Sequence, residues 1–227
     1  MEIYYDILIQ LGYEGYTYLA QGSRAKVFLN KKSRRVVKLT TDALDFVVAR
    51  KLVGKKPKMF ARVFKAEKVH LTQGRDKKDI YLIESAYVGE SFRDSYGYSR
   101  FASRVDEMFD YIESFYLANK DNKVMFSVDN LVSYVFCDLI ENVSIIEGGK
   151  EYRNKFINIL HEYKKLVKET RKLGITNFDY HLSNFSYKGG KIKVFDYGFN
   201  GRSNQHVSLE EVEKIKYYTS LNVNIKL

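Results

Sequence analysis

Cysteine, proline and tryptophan are almost missing from this chain of 227 residues: one Cys, one Pro and no Trp. A lone Cys137 excludes an internal disulfide, so the fold must be held by its core, and a reducing, intracellular setting is expected. A single Pro57 excludes a proline-rich linker and points to compact lobes. No apolar run reaches the length of a membrane span, and Met1–Asp6 has no basic segment ahead of an apolar core, so neither a span nor a secretory signal is expected. The cytoplasm is the compartment these absences suggest. His70, His161 and His206 lack metal-ligand spacing, which favours surface or packing roles. No internal repeat or low-complexity tract is present.

What is abundant is positive charge and aromatic rings. Lys and Arg number 38 against 28 Asp and Glu, a formal net charge of +10, which favours nucleotides, acidic protein surfaces, nucleic acid or anionic lipid and disfavours a polycationic substrate. No nucleic-acid motif accompanies the charge, which weighs against nucleic acid as the main partner. The 19 Tyr and 15 Phe suit a packed core, though rings interleaved with Lys could also stack on bases. At this length the chain can form one large domain or two small lobes sharing a cleft.

Taken in order, Ile3, Tyr4, Ile7, Leu8 and Leu11 predict a short helix within residues 1–16, ended by Gly12 and Gly15. Tyr18 to Leu29 reads as two strands around a small-residue turn. Arg34 to Thr40 reads as a strand with Lys38 among apolar neighbours, and Thr41 to Val53 as a helix capped at Thr41 or Asp42 and stopped by Gly54 and Pro57. Phe60–Leu71 and Asp79–Ala86 read as strands joined by the polar turn 72–78, the second passing into Val88-Gly89-Glu90-Ser91.

From Ser99 to Gly174 the spacing is helical. Stripes run through Phe101, Val105, Met108, Phe109, Ile112, Phe115 and Tyr116, then Val128 to Leu139, then Phe156, Ile159, Leu160, Tyr163, Leu166 and Val167, and all read as core. Phe185-Ser186-Tyr187 and Ile192–Phe195 are short strands around a Lys188-Gly189-Gly190 turn. Ser208-Leu209-Glu210-Glu211 starts a last helix ending near Tyr218.

Two stretches carry chemistry: Asp179-Tyr180-His181-Leu182-Ser183-Asn184, and Asp196-Tyr197-Gly198 closing an apolar β-branched run. Phosphoryl transfer asks a protein to position a hydroxyl and neutralise phosphate charge, and Mg²⁺ needs few protein oxygens because phosphate and water supply the rest. Asp196 and Asn184 suit such a metal, and Asp179 suits orienting a hydroxyl and taking its proton. Asp, Asn and Gly are also ordinary turn residues, so each alone is equally well a loop residue. Lys38 alone is equally a solvated strand lysine, and the 18–29 segment alone is equally an ordinary hairpin.

Order and spacing together resemble the protein-kinase-like superfamily over residues 17 to 200: a small-residue hairpin with Ala20, Gly22, Ala25 and Val27 at the glycine-loop positions, then Val36-Val37-Lys38, an acidic helix, a crossing, a helical block, D-Y-H-L-S-N and D-Y-G. The resemblance implies an α+β, bilobal fold: residues 1–87 form a small antiparallel β-rich lobe with one helix, and residues 88–227 a mainly helical lobe, truncated after the 196–198 motif. It implies that ATP lies between the lobes, with Leu19, Gly22, Ser23, Val27 and Lys38 at the nucleotide and backbone around Glu84 to Ala86 at the adenine edge. Asp45 would pair with Lys38, Asp179 would act in catalysis, and Asn184 and Asp196 would hold Mg²⁺.

The departures bear on substrate. The helix after Lys38 has no Glu, only the shorter Asp45, with Asp42 as a possible substitute. Asn177 replaces the His of H-R-D, and His181 stands where Ser/Thr kinases usually carry Lys. D-x-H-x-x-N looks more like the aminoglycoside and choline phosphotransferase branch, and the long stretch between Glu84 and Asp179 suits its insert. The short tail and missing A-P-E motif resemble compact bacteriophage and secreted bacterial effector kinases. Three readings follow: a Ser/Thr protein kinase acting on acidic protein surfaces, favoured by the charge; a small-molecule kinase, favoured by His181; and an ATP-binding pseudokinase or inhibitory module, favoured by the single loop glycine and absent Glu.

Overall fold

Alternation of apolar and polar residues over 17–40 and again over 63–86 produces the largest element, a five-stranded antiparallel sheet. The computed structural model describes residues 2–73, 76–97, 99, 101–103, 105–106, 149–175 and 181–197. The chain is α+β and divides into two compact units, Met1–Gly89 with Lys193–Phe199, and Glu90–Ile192 with Asn200–Leu227.

In the first unit the order along the chain is α1 (Glu2–Gln10), β1 (Thr17–Gln21), β2 (Ala25–Asn30), β3 (Arg35–Thr40), α2 (Ala43–Leu52), β4 (Val63–Gln73) and β5 (Asp76–Ala86). The sheet order is β1-β2-β3-β5-β4. The chain leaves β3 through α2 and returns at the far edge, and β5 then fills the gap. β4 and β5 reach further than the apolar pattern predicts, because the ladder continues through polar pairs such as Thr72↔Lys77 and Gln73↔Asp76.

Side chains alternate across the sheet, so neighbours on β3 serve opposite faces. Val37 and Leu39 join Phe28, Ile80 and Leu82 in a core closed by Ile7 and Leu8 of α1. Covering that face is the work of the N-terminal helix. Lys38 and Thr40 point to the other face, where α2 packs through buried Val48, Ala49 and Leu52, and Phe46 stacks on Tyr81 at 4.5 Å. Asp42 is the N-cap of α2, its side chain accepting from the N–H groups of Leu44 and Asp45. A cap of this kind stabilises by about 1 kcal/mol.

In the second unit the described elements are α3 (Phe92–Tyr96), α4 (Gly149–Lys172), a 3-10 turn (Leu182–Asn184), β6 (Phe185–Lys188) and β7 (Lys191–Val194), whose last two residues belong to the first unit. Ile159, Tyr163, Leu166 and Thr170 are buried along one stripe of α4. Glu162 on the same face accepts the N–H of Ile192 at 3.2 Å. Asn158 donates to the Tyr187 hydroxyl and the Gly190 carbonyl, each at 2.8 Å. Gly189 and Gly190 both have positive φ, 58° and 74°, as a two-residue hairpin turn requires. A ring cluster of Phe92, Tyr96, Phe101, Phe185 and Tyr187 fills the space beside α3. The expected stripes from Met108 to Leu139 and the last helix at 208–218 lie outside the described residues.

Candidate functional site

The first unit buries one lysine between two carboxylates. Lys38 arrives from β3 on the face that α2 covers, and Asp45 sits one turn into α2, so the shorter acidic side chain reaches it directly: Lys38 Nζ pairs with Asp45 Oδ2. Asp42, the other acid considered from sequence, is occupied as the helix cap and pairs with Arg24 at 3.5 Å. Asp196 is delivered by β7. A parallel bridge joins Phe60 to Val194, the Ala61 N–H donates to Val194 O at 2.7 Å, and the Val194 N–H donates to Met59 O at 2.8 Å. Two residues beyond that anchor, Asp196 Oδ1 lies 2.6 Å from Lys38 Nζ. The next N–H, of Tyr197, donates to Asp45 Oδ1 at 3.2 Å.

The two carboxylates differ in depth. Asp45 is 1 % exposed and Lys38 8 %, whereas the Asp196 side chain is 38 % exposed. Burial alone would lower the Lys38 ammonium, but Asp196 and Asp45 outweigh it and raise it above the ordinary lysine value. Burial raises Asp45, Lys38 pulls it back, and Asp196 raises it again, leaving it above the ordinary carboxylate range. Among the described residues Lys38 is the cation that the two carboxylates share, and Asp196 is the more exposed of the two. Tyr197 is fully buried below; burial, then Asp45 and Asp196, push its hydroxyl up. That hydroxyl has no hydrogen-bond partner among the described residues.

The β1–β2 hairpin lies beside this cluster. Val27 is the cross-strand partner of Lys38, and Ala20 that of Val27. Leu19 is the extra residue of a β-bulge between Tyr18 and Ala20 and is exposed. Gly22 and Ser23 form the exposed turn, closed by the Gly22 N–H donating to Ala25 O at 3.0 Å. A methyl group at Gly22 would meet nothing within 4 Å, and its φ is ordinary, so the fold does not require glycine there. Arg24 O accepts the Thr41 N–H at 3.0 Å, fastening the turn to the start of α2.

Glu84 and Ala86 lie at the end of β5. Glu84 pairs with Val37 across the ladder and so stands on the α1 face, opposite Lys38. Its carboxylate accepts from Arg35 at 2.6 Å and from the Tyr13 hydroxyl at 3.2 Å. Ala86 lies inside β5, with its N–H donating to Arg62 O, and the Tyr87 N–H donates to Arg34 O, both at 2.9 Å. The N–H groups of Ala86 and Tyr87 are therefore engaged within the first unit.

Asn184 ends the 3-10 turn in the second unit. His181 caps that turn, its Nδ1 accepting the Ser183 N–H at 3.2 Å. Asp179 and Gly198 lie outside the described residues. Among the described residues no three metal-ligating side chains converge. That excludes a cage built from those side chains alone, and leaves open a Mg²⁺ ion held by one exposed carboxylate with phosphate and water. The sequence matches no protein-family model and no curated protein.

Proposed function

We propose that this chain is an ATP- and Mg²⁺-dependent phosphotransferase of protein-kinase-like type, transferring the γ-phosphoryl group to Ser or Thr hydroxyls of proteins. The observation that carries the reading is the sharing of buried Lys38 between Asp45, from the helix after its strand, and Asp196, from a segment far away in sequence. Sequence motifs of weak individual value thus meet at one ammonium group. A five-stranded antiparallel sheet with one helix inserted between β3 and β4 supports the same reading.

Each residue then has a task. Lys38 would hold the α- and β-phosphates, and Asp45, out of reach of solvent, would fix the ammonium from behind. Asp179 would orient the acceptor hydroxyl and take its proton as the new O–P bond forms and the bond to the β-phosphate oxygen breaks, releasing ADP. Asp196 would hold Mg²⁺, which when bound neutralises phosphate oxygens. Val27 would pack on the nucleotide, and the Gly22-Ser23 turn would cover its phosphates.

A second reading, nucleotide binding without transfer, is favoured by the β1–β2 turn, whose single glycine already spends its N–H on Ala25 O. Labelled ATP and Mg²⁺ with a cell lysate, and separately with aminoglycosides, separate these readings when Asp179→Ala and Asp196→Ala serve as controls. Label on proteins that both substitutions abolish supports the kinase. Label on a small molecule moves the substrate class, and Mg²⁺-dependent thermal stabilisation by ATP without transfer supports the binding module.

A further inference from the structure

Two arginines flanking β5 share one aromatic ring. The guanidinium carbon of Arg35, at the start of β3, lies 4.3 Å from the centroid of Phe64, and that of Arg62, just before β4, lies 5.1 Å from it. Such contacts hold each guanidinium beside the ring, and Arg35 also pairs with Glu84 at 2.6 Å. Beside them, Lys31, Lys32 and Arg34 project from the exposed β2–β3 turn. Residues 30–40 and 54–66 contain no Asp or Glu. Glu84, the acid that Arg35 meets, is buried and shared with Tyr13.

Arg34 supplies a second, independent sign. Its φ is 53°, in the left-handed region that Gly or Asn enters with less strain. Local stability therefore does not select arginine at the tip of this turn. A cation at a strained position, next to two guanidinium groups held beside one ring and without acidic neighbours in sequence, points to an anionic ligand.

We propose that the surface formed by Lys31, Lys32, Arg34, Arg35 and Arg62 docks an acidic polypeptide segment rich in Asp and Glu. Carboxylates match the guanidinium fork in pairs. A single-stranded nucleic acid would use a free ring for stacking, but the Phe64 ring is already in contact with two guanidinium groups. A membrane surface would need apolar groups to insert, and the 31–35 turn has none. Arg35 pairs across the ladder with Ala86, on the same face as Glu84 and opposite to Lys38, so occupation of the surface leaves the Lys38 cluster undisturbed. Binding holds whether or not the chain transfers phosphate; a part in choosing protein substrates rests on the function proposed above.

The test is fluorescence anisotropy of the full chain with a labelled peptide of alternating Asp and Glu, against a single-stranded DNA of equal charge and phosphatidylserine vesicles. The wild type is expected to prefer the peptide, with affinity falling as salt rises. Combined Lys31→Gln, Lys32→Gln, Arg34→Gln and Arg62→Gln substitution is expected to weaken binding at least about tenfold. Arg34→Gly alone keeps the fold and weakens binding by a smaller factor. No peptide binding by the wild type, equal binding by the fourfold variant, or tighter binding to DNA or vesicles would each overturn the proposal. In a transfer assay the fourfold variant raises KM for an acidic protein and leaves KM for ATP unchanged. Absence of any transfer, with peptide binding intact, refutes the kinase reading alone.

Discussion

Replacing Lys38 by Met removes the cation that Asp45 and Asp196 share among the described residues and leaves Asp45, 1 % exposed, with the Tyr197 N–H at 3.2 Å. Breaking a buried pair in this way costs about 3–5 kcal/mol. The stranded carboxylate limits the loss by taking a proton instead. From its ordinary value of 3.8 to pH 7 that costs about 1.36 kcal/mol per pH unit, or about 4 kcal/mol in all. At pH 5 the same limit falls to about 1.6 kcal/mol. Asp45 is already raised in the fold, so it holds a proton that the unfolded chain releases, and removing Lys38 raises it further. Stability of the variant must therefore fall more steeply from pH 5 to pH 7 than that of the wild type.

Urea unfolding followed by circular dichroism is the assay, since the chain has no Trp for fluorescence. Lys38→Met is expected to lose about 3 kcal/mol at pH 7 and less than about 2 kcal/mol at pH 5. The double variant Lys38→Met, Asp45→Leu restores most of the loss, because an apolar pair carries no desolvation cost. A loss below about 1 kcal/mol at pH 7, an equal loss at both pH values, or additive losses in the double variant would refute the reasoning.

Other outcomes follow from the same structure. Gly22→Ala meets no neighbour and should change stability by less than about 0.5 kcal/mol, while reducing ATP affinity if phosphates pass close to the turn; thermal melting with and without ATP measures both. Tyr197→Phe removes a buried hydroxyl lacking a partner among the described residues and should leave stability unchanged or raise it by about 1 kcal/mol in urea titration. Gly190→Ala meets φ of 74° and Asn158 Nδ2 at 3.0 Å, and should lower the melting temperature through a loss of about 1–2 kcal/mol. Lys38, Tyr13 and Tyr197 are all raised in the fold, so the unfolded chain releases their protons first as pH climbs past the ordinary values of 10.0 to 10.5. Stability should fall steadily above about pH 10, as an alkaline titration of circular dichroism would record.

Local patterns made much of the first unit legible. Alternation placed the five strands, and Asp42 before an apolar run marked the start of α2. Once Asp42 serves as cap, helical spacing leaves Asp45 as the acid on the sheet side, where Lys38 meets it. The face that the Glu84 side chain serves was not legible, because it depends on register, and the Val37↔Glu84 pairing sets it opposite Lys38. The long polar end of β4 and β5 was missed for a related reason: backbone pairing there carries no side-chain signal. Nor could periodicity show that the Tyr197 ring lies buried against Phe60, or that two arginines meet over Phe64, since these contacts join separate segments.

The central claim is that Asp196, the exposed partner of Lys38, meets the nucleotide through a divalent ion. Calorimetric titration of ATP into the wild type and Asp196→Asn, with and without Mg²⁺, tests it most directly, and Asp45 remains to hold Lys38 in the variant. Mg²⁺ should strengthen ATP binding to the wild type at least about tenfold and leave the variant unchanged. Equal strengthening in both proteins, or no ATP binding by the wild type at all, would contradict the account.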